Sequence, residues 1–463
     1  MIVKNKITLI AALCFVSFFS CNCNEEKPIS PDNFARYTTD LQINSKILGM
    51  SIKYSVFLPA DYVKNPNKHY PVVYLLHGLG DDHKSWNDQW LNIAARIENW
   101  ENTAGLEPMI YIMPQGFRSY YVNRYDGKFN YMDMFVEELV PEIDRIYRTV
   151  ADREHRAVVG YSMGGFGAMI LASKHPEIFS VSVPLSMSFR TDEQYMTESA
   201  SGWDNQWGAI FGGKGLTGAA RLTDYYRQHC PFYMFTPQTV QQYSSIKYFI
   251  DCGDDEEQLL VSNDKLHVLM RDIGLYHEYR VRDGAHTSSY WANAMQEALP
   301  YISACFNGVP YKTEESVTLP DTLNMTWKDT VLQGVSATVF FPVEYNLEVN
   351  YPIVYLIKNN AVSAVEAAKA LQKNKPFVLV VSDMSDNKTP LYLLDVAIDT
   401  TDLISTNFYY ISLGDDGENY KNADALYRIC HKQNIPFEYR VYNGTSSKNS
   451  ILYGLLQMRE MIK

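Results

Sequence analysis

The chain has 463 residues, with 41 Lys and Arg against 53 Asp and Glu, and its net charge of −12 includes no basic stretch beyond Lys4 and Lys6. Nucleic acid is therefore set aside as a partner, because phosphate binding needs clustered cationic side chains. At 46% hydrophobic and 13% aromatic residues, with 34 tyrosines, the chain has ample material for a packed core and length for two or three domains.

Residues 1–20 combine Lys4 and Lys6 with an apolar run from Ile7 to Phe19, the n-region and h-region of a signal peptide. The run is too short to be a comfortable membrane span. Phe18-Phe19-Ser20-Cys21 resembles the lipobox of bacterial lipoproteins, which predicts lipidation at Cys21 and a membrane anchor at the outer membrane or cell surface of a Gram-negative bacterium. A cleaved soluble secretory protein is the alternative. Residues 21–35 are polar and contain Pro28 and Pro31, so they read as a tether. The later cysteines, Cys23, Cys230, Cys252, Cys305 and Cys430, lack the paired spacing of a zinc site or disulfide framework.

The next elements recur. "YSVFLPADYVKNPNKHYPVVYLLHGLG" (54–80) is matched by "ATVFFPVEYNLEVNYPIVYLIKNNA" (337–361), and the stretch 248–286 is matched by 409–446. Matching pieces in the same order indicate a tandem duplication, with a first copy at 36–308 and a shorter second copy at 309–463. Within the first copy, β-branched runs (Val72–Leu76, Met109–Met113, Ala157–Gly160, Val181–Leu185, Lys247–Cys252, Glu278–Arg282) alternate with helical patterns such as "YMDMFVEELVPEIDRIYRTV". That alternation predicts an α/β fold with a largely parallel sheet.

The first buried strand opens into a tight turn, His77-Gly78-Leu79-Gly80. Further on, "RAVVGYSMGGFGAMILASKHP" (156–176) reads as strand, glycine-bounded turn and helix. Gly160-Tyr161-Ser162-Met163-Gly164 is a Gly-x-Ser-x-Gly match in the setting a nucleophile elbow demands, with small residues at Gly160 and Gly164 so that strand and helix can approach. A serine in an ordinary glycine turn is the competing reading. An elbow needs an oxyanion hole, for which the N–H groups of Met163 and Leu79 are the candidates.

Residues 188–245 form an insertion far longer than a minimal crossover, placed to act as a lid over the carboxyl edge of the sheet. Trp203 and Trp207 within it, with Trp86, Tyr120, Tyr121 and Trp291 in other loops, are candidates for an aromatic wall binding a feruloyl ring or a sugar face. Ordinary packing is the alternative for each. The strand "YFIDCG" is followed by Asp254, Asp255, Glu256 and Glu257, any of which is a candidate acid. A calcium loop is disfavoured because the run lacks alternate-position ligands. His286, after the strand "EYRV", completes the chain order Ser, acid, His, and is the candidate general base.

"YPVVYLLHGLGDDHKSW", "MIYIMPQG", "EELVPEIDRIYRT", "RAVVGYSMGGFGAM" and "EYRVRDGAHTSSYW", in this order, resemble the esterase D type of α/β-hydrolase. That group includes S-formylglutathione hydrolases, mycolyltransferases and the feruloyl and acetylxylan esterases of carbohydrate esterase family one. The resemblance covers nearly all of the first copy. It implies an α/β-hydrolase fold and a metal-independent serine esterase without a cofactor, acting through an acyl-enzyme, with Ser162 as nucleophile and His286 as base. The family places Asp at the third position after the strand-end glycine; counting from Gly253 that position is Glu256. The order of candidates for the acid is therefore Glu256, then Asp255.

In the second copy His77-Gly78-Leu79-Gly80 becomes Lys358-Asn359-Asn360-Ala361, Glu256 becomes Gly417, His286 becomes Ser446, and the elbow has no counterpart. A degenerate, non-catalytic α/β module that packs on the esterase copy is expected, with glycan binding or association as alternatives. The expected function is an exported, lipid-anchored carboxylesterase that removes feruloyl or acetyl groups from polysaccharides. The alternatives are a short-chain esterase or acyl-thioester hydrolase and, from another class, an inert glycan-binding lipoprotein.

Overall fold

The computed structural model describes residues 35–103, 106–311, 317–332, 335–349, 351, 353–357, 362–372, 376–382, 409–414, 420–421, 424, 427–428, 437–442 and 448–459. The leader with Cys21, most of the tether, residues 358–361, Gly417 and Ser446 lie outside them. Among the described residues no helix is long and apolar enough to cross a membrane.

Residues 36–308 supply β1 (Tyr37–Ser45), β2 (Met50–Phe57), β3 (Val72–Leu76), β4 (Ile110–Pro114), β5 (Arg156–Tyr161), β6 (Val181–Leu185), β7 (Lys247–Gly253) and β8 (Glu278–Arg282). The C-terminal region supplies β9 (Met325–Leu332), β10 (Val335–Pro342), β11 (Ile353–Ile357), β12 (Val378–Ser382), β13 (Tyr409–Gly414) and β14 (Phe437–Tyr442). One sheet runs β1-β2-β4-β3-β5-β6-β7-β8-β14-β13 and a second runs β11-β12-β10-β9. From β4 to β8 the pairing is parallel. Strands β3, β4, β5 and β6 are buried along their whole length, as continuous apolar runs must be when helices cover both faces.

The helices divide between the faces. Helices Ile93–Thr103 and Ser288–Phe306 bury Ile93, Ile97, Met295 and Ile302 against one face, while Met163–Lys174 packs Met169 and Leu171 on the other. The chain leaves β3 toward β4 on one side and returns to β5 on the other, so the order reverses between β3 and β5. In open α/β sheets, ligand sites lie at such a switch point, outside the carboxyl ends of the strands. The turn at His77–Gly80 and the elbow at Ser162 flank it.

The boundary expected near residue 308 does not separate two sheets. Strands β13 and β14 extend the main sheet through β8, whereas β9–β12 form a small sheet of their own. A compact second core joins Phe340 and Leu379 of that sheet to Leu371, Leu452 and Leu455 on the helices Ala364–Leu371 and Lys448–Arg459.

Candidate active site

Ser162 stands between β5 and the helix Met163–Lys174 with φ 56° and ψ −117°, a conformation that costs a non-glycine residue of order 1–3 kcal/mol and persists only when its surroundings enforce it. They do: its N–H donates to Leu185 O at 2.9 Å, and its carbonyl accepts from Ser188 N at 3.0 Å and Phe166 N at 3.1 Å. The glycines make the turn sterically feasible. A Cβ on Gly160 would lie 2.1 Å from Gly164 O, and one on Gly164 would lie 2.2 Å from Leu76 O, both rigid backbone. Gly164→Ala is therefore expected to cost about 3 kcal/mol or more through overpacking. The check is thermal denaturation, in which a melting temperature equal to the parent's would contradict the close approach.

The three groups separated in sequence meet in space. His286 Nε2 lies 2.9 Å from Ser162 Oγ, and His286 Nδ1 lies 2.6 Å from Glu256 Oε2. The Glu256 side chain is 1% exposed and the imidazole 39%, so the carboxylate is sheltered while the ring remains reachable. Its other oxygen, Oε1, accepts from the Ser186 hydroxyl at 2.5 Å and from Gly253 N–H at 3.1 Å. Three hydrogen bonds to one carboxylate satisfy the buried charge and leave it a single orientation. Asp255, the second candidate, is exposed, and its N–H donates to Gly284 O at 3.2 Å.

Ser186 was not among the sequence candidates. It sits just past β6 with φ 46° and also accepts from Trp291 Nε1 at 2.8 Å. The signal for it is weak, a serine two residues beyond a proline at the end of a buried strand.

The early turn is braced from below. His77 is buried, and that burial holds its pKa below the usual imidazole value, so the ring is neutral. Its Nδ1 lies 2.8 Å from Gly78 O, and its Nε2 accepts Gly116 N–H at 2.8 Å and meets the Gln115 side-chain amide at 2.9 Å. Tyr121 donates to His77 O at 3.0 Å. Gly80 takes φ +91° and a Cβ on Gly78 would strike the Tyr161 ring at 2.7 Å, which explains glycine at both positions. Leu79 lines a cavity whose wall includes neither Ser162 nor His286, and Met163 lies in the first turn of its helix, where N–H groups have no intrahelical acceptor.

That cavity, about 270 Å³, is lined by Leu79, Tyr120, Val122, Phe129, Gln206 and Ile210 among others. The lid insertion supplies Gln206 and Ile210 from its run of short helices between Asp192 and Tyr243. The expected aromatic wall is largely absent. Of the six aromatics, Tyr120 alone lines the cavity, its hydroxyl bonded to Gln206 and 3.4 Å from Ser188 Oγ. Trp86 packs edge-on to Tyr161, Tyr121 fills the space over Gly116 and Gly167, and Trp203 donates to Gly213 O at 2.8 Å. Trp207 stacks with Phe211. These four are buried because the apolar area of an aromatic ring drives it inward wherever a helix face offers contact. Trp291 stacks on Tyr161 at 4.2 Å and meets His286 edge-on at 4.9 Å, so it seats the imidazole.

A family model described as a putative esterase matches residues 45–302. The chain is 25% identical over 298 residues to an endo-1,4-beta-xylanase/feruloyl esterase of Xylanibacter ruminicola, over 60% of this chain and 34% of that protein. It is 28% identical over 265 residues to an esterase of Mycobacterium tuberculosis, over 53% of this chain and 54% of that protein. The matches thus span between a third and about half the length of these curated relatives. A solved ferulic acid esterase is 27% identical with a TM-score of 0.49, over 58% of this chain and 98% of the other.

Proposed function

The chain belongs to the putative esterase family, and from that premise we propose that it hydrolyses carboxylic esters with Ser162 as nucleophile, His286 as general base and acid, and Glu256 as the group that orients the imidazole. The observation that carries this reading is the continuous chain Ser162 Oγ, His286 Nε2, His286 Nδ1, Glu256 Oε2 at 2.9 and 2.6 Å. His286 takes the hydroxyl proton as Ser162 attacks the ester carbonyl, and the imidazolium that forms is balanced by Glu256. The tetrahedral oxyanion turns toward the N–H groups of Met163 and Leu79. His286 then delivers its proton to the leaving alcohol, and a water activated by the same ring releases the acid from the acyl-enzyme.

For the substrate, the reading is a feruloyl or acetyl group on a polysaccharide. The cavity beside Leu79 supports it, with Val122, Phe129 and Ile210 offering apolar contact to an acyl group and Tyr120 and Gln206 offering polar ends. The Xylanibacter relative, an endo-1,4-beta-xylanase/feruloyl esterase, points the same way. Assays on methyl ferulate, acetylated xylan and p-nitrophenyl acetate test it; higher kcat/KM for the plain acetate than for both of the others would reduce the reading to a general short-chain esterase. Ala209→Trp, which narrows the same cavity, is expected to lower kcat/KM for methyl ferulate about tenfold and to spare p-nitrophenyl acetate, since pocket shape discriminates by about 1–3 kcal/mol.

We place the protein outside the cytoplasm, anchored through an acylated Cys21, on the leader pattern alone. Cys21→Ala should move it from the membrane to the soluble fraction, and an unchanged distribution would refute the anchor.

A further inference from the structure

Strand β8 carries Glu278-Tyr279-Arg280-Val281 and β14 carries Glu438-Tyr439-Arg440-Val441. The two strands run antiparallel with Val281 opposite Val441, so a residue of one copy faces its own counterpart in the other. Such self-pairing is the mark of a two-fold, isologous contact. Neighbouring groups obey the same local dyad. His267 stacks on Tyr279 at 4.5 Å as Tyr427 stacks on Tyr439 at 5.2 Å, and Arg280 pairs with Glu278 as Arg440 pairs with Glu438. The exposed edge that β8 would otherwise present is closed by the chain's own second copy.

Contacts across this dyad reach the loop that carries the acid. The Arg440 guanidinium pairs with the carboxylate of Asp254, and both side chains are more than nine-tenths buried. Asp254 Oδ2 also accepts Tyr439 N–H at 3.3 Å, while Oδ1 accepts Gly284 N–H at 3.1 Å. Asp254 stands two residues before Glu256, and Gly284 two residues before His286. One buried carboxylate thus ties together β14, the loop of the acid and the loop of the base. Oxygens of Asp254, Asp255 and Asp283 approach one another within 4.8 Å, and Arg440, 3.2 Å from Asp283, supplies the positive charge this grouping needs.

We infer that the second copy serves as a fused partner subunit, docked on the first across the β8/β14 dyad, and that Arg440 is a positioning residue which, through Asp254, fixes the loops bearing Glu256 and His286. The catalytic part of this inference rests on the triad reading above. It is tested in the full chain with Arg440→Gln, Arg440→Lys, Asp254→Asn and the Asp254→Asn/Arg440→Gln pair. Arg440→Gln is expected to lower kcat about tenfold with KM nearly unchanged, the scale of a small misplacement of catalytic groups. Arg440→Lys should recover most of the loss, and the double variant should be no worse than the poorer single one. Parental kcat in Arg440→Gln, or losses that multiply in the double variant, would overturn the positioning role. If Arg440→Gln does not fold, Asp254→Asn decides: a folded variant with parental kcat overturns it, and a lowered kcat supports it.

Amide hydrogen exchange gives a readout independent of activity. Faster exchange at residues 253–256 and 284–287 is expected in Arg440→Gln, or in Asp254→Asn if the former does not fold, and unchanged exchange there overturns the inference. An inactive parent, or an active Ser162→Ala variant, would strike the esterase reading and leave the exchange result to judge the contact.

Discussion

Replacing Ser162 with alanine is expected to lower kcat on any ester the parent hydrolyses by about 10⁴-fold or more, with little change in melting temperature. The side chain itself does not hold the elbow. The strained backbone at φ 56° is enforced by bonds from Leu185, Ser188 and Phe166 to the main chain of residue 162, and alanine keeps all of them. What disappears is the atom 2.9 Å from His286 Nε2, without which no acyl-enzyme forms. Binding is retained, so KM should move little. Burst and steady-state hydrolysis of p-nitrophenyl acetate measure this directly; a variant within tenfold of the parent would remove Ser162 from the reaction.

Glu256→Gln should cost about 10³-fold or more in kcat, although the two side chains share one shape. The carboxylate accepts on both oxygens, from His286 at one and from Ser186 and Gly253 N–H at the other. An amide cannot reproduce this in either orientation. With its NH₂ toward Gly253, two donors face each other in a buried site, and the ring loses its counter-charge. With its NH₂ toward His286, the imidazole must take the other tautomer, which presents N–H to Ser162 and cannot accept the proton. Asp255→Asn, at an exposed side chain, is expected to stay within about twofold of the parent, as surface substitutions usually do. A larger loss of kcat in Asp255→Asn than in Glu256→Gln would transfer the acid's role to Asp255.

The two variants bear on how legible the site was. Gly160-Tyr161-Ser162-Met163-Gly164 and His77-Gly78-Leu79-Gly80 are contiguous, and their glycines record close approaches that the structure locates at the backbone of Leu76 and Gly164 and at the ring of Tyr161. Contiguous steric demands of this kind stay visible in a single chain. Ser186 left no comparable trace, because its partner Glu256 is 70 residues away and nothing local requires serine there. The packing of most of the aromatic candidates was hidden for a related reason. A tryptophan in a helical insertion is equally compatible with a ligand wall and a packed lid, and only the neighbours, Tyr195, Phe211 and Gly213 among them, decide which.

The alternation of buried strands and amphipathic helices, the Gly-x-Ser-x-Gly turn, the His77–Gly80 turn, the chain order of the candidate triad and the recurring segments were all readable in the sequence. All of these are short-range patterns of periodicity, glycine placement and order along the chain. The tertiary structure alone decided which of four adjacent carboxylates meets His286, that most of the aromatic candidates belong to the core, and that β14 and β13 extend the main sheet past β8 with Arg440 against Asp254. Those outcomes depend on burial and on register between strands far apart in the chain. The Glu-Tyr-Arg-Val segment is repeated 160 residues apart, but only the antiparallel pairing of Val281 with Val441 turns that repetition into an interface, because a strand edge specifies no partner until another edge lies beside it.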